Sequence, residues 1–182
     1  MTDTQPASVY DLTPETEAES LATFAVLVDN EPGVLHRLVG LFAARGYNIE
    51  SLTVAETDRR ARTSRVTIVT RGTKHVLGQI QAQLEKMVSA RHVQDVTRDP
   101  NGLERELALV KVRGAGADRV EALRVGDIFR ARVIDTTHES FVFEVTGAPT
   151  KIDSFVELMR PLGLVEVSRT GVLSIQRGAQ AL

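Results

Sequence analysis

One order of elements, strand-helix-strand-strand-helix-strand, can be read twice along this chain, and no other feature narrows its fold as much. The first reading starts at Thr23-Phe24-Ala25-Val26-Leu27-Val28, a short β-prone apolar run that stops at the turn cluster Asp29-Asn30-Glu31-Pro32-Gly33. Val34, Leu35, Leu38, Val39, Leu41 and Phe42 then recur at the spacing of one helical face, which ends at Arg45-Gly46. Ile49 to Ala55 alternates as a strand does, Thr57 to Ser64 is a polar, arginine-rich hairpin loop, and Val66 to Thr70 is the returning strand. Thr73 is placed to cap a second helix with Val76, Leu77, Ile80, Leu84 and Met87 on its apolar face. Val93 to Val96 closes the unit, and Asp99-Pro100-Asn101-Gly102 reads as a linker.

The order then recurs. Leu107 to Val112 is a strand, and Asp118 is expected to cap a helix carrying Val120, Leu123, Ile128 and Phe129. Ala131 to Asp135 and Phe141 to Val145 form a strand pair. Thr150, with Asp153 three residues on, resembles a capping box for a helix bearing Ile152, Phe155, Val156 and Met159. Val165 to Val167 and Val172 to Ile175 are the final strands. The two first helices lie roughly 84 positions apart, the signature of a repeated unit. The expected fold is α+β: two ferredoxin-like βαββαβ sandwiches in tandem, each an antiparallel sheet covered on one face by two helices. The expected domains are an acidic tail over 1–20, a first unit over 21–99, a linker over 100–104 and a second unit over 105–182. Seven acidic residues, from Asp3 to Glu31, precede the first basic one, Arg37, so the first 20 or so residues are expected to be disordered.

Composition narrows function by what it lacks. Of 182 residues none is cysteine or tryptophan, so disulfides, a thiol nucleophile and thiolate metal sites are excluded. His36, His75, His92 and His138 are scattered and fit no compact metal motif. A formal net charge of -2 gives no overall basic field for nucleic acid. No apolar stretch approaches the ~20 residues of a membrane span, and the start lacks the basic and apolar regions of a secretory signal. A cytoplasmic protein with neither nucleic acid nor membrane as partner is expected.

Two segments can carry binding chemistry. In Asn30-Glu31-Pro32-Gly33-Val34-Leu35, Pro32 suits a first helical turn and Gly33 permits close approach. The free N–H groups of that turn are a site for a carboxylate. Asn30 reads either as the helix cap or as a polar contact for a ligand. In Arg45-Gly46-Tyr47-Asn48-Ile49-Glu50, Gly46 reads as a helix C-cap residue and Asn48 as a turn residue or a second ligand amide. The four arginines between Arg59 and Arg65 read as a solvated hairpin tip or a contact for an acidic partner surface. Gly114-Ala115-Gly116 lacks the lysine of a phosphate loop and reads as a turn.

Together these segments resemble a known family. Asn30 to Arg37, Gly40-Leu41-Phe42 and Arg45 to Ala55 resemble the amino-terminal ACT domain of the acetolactate (acetohydroxyacid) synthase small subunit. Arg105 to Val112, Ile128 to Ala131 and Arg169 to Ile175 resemble that subunit's carboxy-terminal domain. The resemblance runs from about Leu21 to Gly178. It implies a regulatory chain with no catalytic residues and no cofactor of its own. The partner would be a large catalytic subunit, on which thiamine diphosphate, magnesium and FAD are expected. It implies activation of that subunit and feedback inhibition by valine or a related branched-chain amino acid, within branched-chain amino acid biosynthesis, isoleucine biosynthesis included. It further implies a homodimer through the ACT domains, with the effector between them. Asn30, Gly33 and the following turn of one copy would face Asn48 and Ile49 of the other, with Val34, Leu35 and Ala55 shaping the apolar wall. His36 and the basic Arg59–Arg62 loop depart from the family's usual residues, and the acidic tail has no counterpart in it. The rival readings are a free-standing ACT-type amino-acid sensor acting on another enzyme or regulator, and a small ferredoxin-like enzyme.

Overall fold

A computed structural model describes residues 18–179; residues 1–17 of the expected acidic tail and residues 180–182 lie outside the described residues. The elements are β1 (Ser20–Asp29), α1 (Val34–Ala43), β2 (Ser51–Asp58), β3 (Thr63–Gly72), α2 (Lys74–Glu85) and β4 (Ala90–Asp95). They continue as β5 (Gly102–Arg113), α3 (Gly116–Ile128), β6 (Arg132–Thr136), β7 (Ser140–Gly147), α4 (Pro149–Met159), β8 (Leu164–Arg169) and β9 (Leu173–Gln176). The first sheet has the order β2-β3-β1-β4 and the second β6-β7-β5-β8, all pairs antiparallel, with β9 added along the start of β5. Two ferredoxin-like units in tandem are therefore present, as expected.

Each sheet buries its central strand. Ala22 to Val26 of β1 are at most 4% exposed, which explains why this run reads as continuously apolar rather than alternating. Phe24, Val26 and Ile68 meet Leu38 and Phe42 of α1 and Ile80 and Leu84 of α2 in one core. Val110, Phe143 and Val145 meet Ile152, Phe155 and Met159 of α4 in the other. The expected cap of α2 forms: Val76 N–H donates to Thr73 Oγ1 at 3.3 Å. Thr73→Ala should cost about 1 kcal/mol, lowering Tm by roughly 2–4 °C in a thermal unfolding scan.

Three expectations need correction. Asp118 does not cap α3; Ala115 holds the cap position without a side-chain bond, and Asp118 lies inside the first turn. Val120 and Ile128 are each 67% exposed and Leu123 is exposed too, while Ala122, Val125 and Gly126 face the core. The cause is close packing: a Cβ on Gly126 would lie 2.7 Å from the Phe143 ring, so small residues face the sheet and the larger ones turn outward. Nor does the capping box at Thr150 form. The helix starts one residue earlier, with Pro149 in the first turn, and Asp153 instead accepts a hydrogen bond from Arg169 Nη1 at 2.7 Å.

Candidate functional site

The expected binding residues fall at the two ends of one strand. At the first end, Gly33 caps α1 with φ +84°, a left-handed conformation that glycine adopts without penalty. No side chain caps this helix; the Val34 N–H donates to Glu31 O at 3.3 Å, and the N–H groups of Leu35 and His36 are left open. Asn30 is not the cap. Its Nδ2 donates to Glu56 Oε1 at 3.1 Å and its backbone N–H to Arg62 O at 2.7 Å, tying the turn to the β2–β3 hairpin. Val34 is buried in the core, whereas Leu35 is 40% exposed and His36 is exposed.

At the second end, Gly46 (φ +68°) turns the chain out of α1 toward β2. The carbonyl of Asn48 accepts from Thr70 Oγ1 at 2.6 Å, which anchors this turn to β3, and its exposed side-chain amide donates to Glu50 Oε1. Ile49 is half-buried against the core, and Ala55 is exposed on β2 opposite Arg65.

Within one chain Asn30 and Asn48 do not meet. Asn30 bonds to Glu56 while Asn48 precedes Ser51, so about eight strand residues, roughly 26 Å, separate the two ends. The geometry has a direct consequence. β2 is an edge strand, exposed from Val54 onward, and pairs only with β3 among the described residues. When two such edges pair antiparallel, the start of each β2 lies opposite the end of the other. The Asn30 end of one copy would then face the Asn48 end of its partner. The open N–H groups suit a carboxylate, the side-chain amides suit an ammonium group, and Leu35 and Ile49 offer apolar surface on the helical side. Of the other two residues expected in the apolar wall, Val34 is taken up by the core, and Ala55 shares with Ser51 and Thr53 the face of β2 turned away from the helices.

The hairpin loop is shorter than expected, Arg59–Arg62, and its backbone is held by Asp58, whose Oδ1 accepts from the N–H groups of Arg60 and Ala61. Arg65 lies on the returning strand, where burial pulls its guanidinium below the usual arginine range.

Two features carry no local signal in the sequence. Glu106 is 4% exposed, and Arg169, 63 positions away, forks onto it, with Nε donating to Oε1 at 2.8 Å and Nη2 to Oε2 at 2.5 Å. These hydrogen bonds, reinforced by Asp153, hold Arg169 charged well above the ordinary arginine range. At the linker, Asp99 accepts from Gln176 of β9, from the Asn101 N–H and from Gln94 of β4, and these contacts lower its carboxyl pKa. Among the described residues, no group of three or more histidine, aspartate or glutamate side chains is placed to hold a metal ion. Nor is any helix there long and apolar enough to cross a membrane.

An open-edged ferredoxin-like unit with an uncapped first helix, followed by a second unit of the same topology, defines a two-domain protein of the ACT type. Residues 24–90 match the family model described as the AHAS small subunit-like ACT domain, and residues 105–178 match that of the small subunit of acetolactate synthase. The chain belongs to the acetolactate synthase small-subunit family. It is 45% identical over 156 residues to the probable acetolactate synthase small subunit of Archaeoglobus fulgidus, covering 86% of this chain and 96% of that one. It is 43% identical over 155 residues to the acetolactate synthase isozyme 3 small subunit of Salmonella typhimurium, covering 85% and 94%. The crystal structure of the Thermotoga maritima acetolactate synthase small subunit superposes with a TM-score of 0.77 at 35% identity, covering 88% of this chain and 99% of that one.

Proposed function

We propose that this chain is the regulatory subunit of acetolactate synthase, which activates a catalytic large subunit and makes it subject to feedback inhibition by valine. The thiamine diphosphate, magnesium and FAD of the reaction would reside on the large subunit. In this reading residues 21–99 are the effector domain and the second domain follows a linker shorter than the expected 100–104, because β5 begins at Gly102 and pairs with β9 from there. The observation that carries it is the placement of Asn30 and Asn48 at opposite ends of an open edge strand. Pairing two copies along β2 assembles two equivalent sites from half-sites that are far apart in one chain. The first turn of α1 and Gly33 of one copy receive the valine carboxylate, and the side-chain Oδ1 atoms of Asn30 and Asn48 accept from its ammonium group. Leu35 and Ile49 enclose the isopropyl group on the helical side of the sheet.

Valine acts only by binding two states of the holoenzyme unequally, with a typical coupling of about 1–3 kcal/mol. An apolar wall of this kind discriminates by roughly 1–3 kcal/mol per methylene, so leucine and isoleucine should act more weakly rather than not at all. The test is turnover of pyruvate to acetolactate by the large subunit, with and without this chain, across a valine titration. Stimulation that valine reverses is expected. Absence of both effects would overturn the proposal, and recovery of a different enzyme as the binding partner would favour a free-standing sensor.

A further inference from the structure

The strand that carries the half-sites is also gripped from its other side. Leu52 of β2 packs into the helical core, so its neighbours Ser51 and Thr53 point to the opposite face of the sheet. There they meet the turn between β8 and β9. Val172 N–H donates to Ser51 Oγ at 3.1 Å, and Thr53 Oγ1 donates to the carbonyl of Thr170 at 3.4 Å. Gly171 sits between them with φ +81°, and a Cβ there would lie 2.6 Å from Ser51 Oγ and 2.8 Å from Thr53 Oγ1. This approach therefore requires glycine twice over, for its backbone and for its missing side chain.

The turn cannot yield independently of the second unit. Thr170 donates its N–H to Leu107 O at 3.0 Å and accepts from Leu107 N–H at 3.2 Å, both on β5. The residue before it, Arg169, is forked onto buried Glu106 and reaches Asp153 on α4. The units have a second attachment at the opposite edge of the first sheet. There Asp99 joins Gln94 of β4 to Gln176 of β9, and the chain itself crosses over. The second unit is thus hinged at the β4 edge and latched at the β2 edge.

We propose that this latch, Ser51 and Thr53 against Thr170-Gly171-Val172, carries effector occupancy from β2 to the second unit. The inference rests on the effector reading above and extends it. Asn48 and Ile49 lie two to three residues before Ser51, so a ligand that draws this segment in shifts the latched end of β2. Because the turn is fixed to β5 and α4, the shift either moves the second unit about its hinge or opens the latch. Ser51 and Thr53 are positioning residues in this scheme and touch no ligand.

The test uses Ser51→Ala and Gly171→Ala in the full chain, reconstituted with the large subunit, with valine as the probe. Ser51→Ala removes one acceptor without crowding, so it guards against a folding defect in the glycine variant. Calorimetry on the small subunit alone should show valine affinity within about threefold of the unaltered chain, while the inhibition reached at saturating valine falls to less than about half. Normal inhibition in both variants would overturn the latch. So would lost valine binding, which would put these residues in the site itself, or failure to activate, which would make the latch an assembly contact. An unaltered chain that binds no valine would instead overturn the effector reading, and the latch with it.

Discussion

Replacing Gly33 by aspartate is expected to abolish valine inhibition while the chain still folds and activates the large subunit. Gly33 has φ +84°, and a Cβ there would meet nothing within 4 Å, so the change costs backbone strain of roughly 1–2 kcal/mol and causes no collision. Aspartate tolerates this region better than most residues, and at a cap position its carboxylate accepts from the first-turn N–H groups. That bond offsets part of the strain. The same carboxylate occupies the donors proposed for the carboxylate of valine and repels it. The half-inhibitory valine concentration should rise by more than about tenfold, equivalent to at least ~1.4 kcal/mol of lost binding. Stimulation and inhibition measured in one titration separate this outcome from misfolding, in which both would be lost together.

The largest expected loss of stability follows from Arg169→Ala. Glu106 has a side chain only 3% exposed, and Arg169 supplies both of its hydrogen-bonded charge contacts. Removing one partner of a fully buried pair costs roughly 3–5 kcal/mol because the remaining charge is stranded. Arg169 is 37% exposed, so water entering the vacated space should reduce this to about 2–4 kcal/mol. Thermal unfolding should report a fall of roughly 5–15 °C, at about 2–4 °C per kcal/mol for a chain of this size. Substituting Glu106 by glutamine in the same background should recover part of the loss, since a neutral amide is less costly to bury than an unpaired carboxylate. No recovery in the double variant would show that packing, rather than stranded charge, sets the cost.

What was legible in the sequence was whatever depends on neighbours in the chain. The duplicated element order, the Thr73 cap and the apolar face of Leu77, Ile80 and Leu84 follow from local spacing, and the structure has them. The face of α3 was not legible, because its orientation is set by Gly126 pressing on Phe143 of β7. Local spacing misplaces the start of α4, because Thr150 and Asp153 have the spacing of a capping box while Pro149 opens the helix and Arg169 claims the aspartate. The ends of the candidate site could be found as two motifs. Their separation along β2 could not, since it depends on the register between β2 and β3. The latch at Gly171 leaves no local trace for the same reason: Ser51 and Val172 are 121 positions apart.

That separation offers the most direct test of the central claim, that each effector site is shared between two copies. The Asn30→Ala and Asn48→Ala chains should each bind valine weakly when alone, because both sites of either dimer lose an amide. Mixed dimers holding one chain of each kind concentrate both losses in one site and leave the other intact. Calorimetric titration of purified mixed dimers should therefore recover valine binding at one site per dimer with unaltered affinity. Binding that stays lost in the mixed dimer would contradict the account, because it would place both amides in a site built within a single chain.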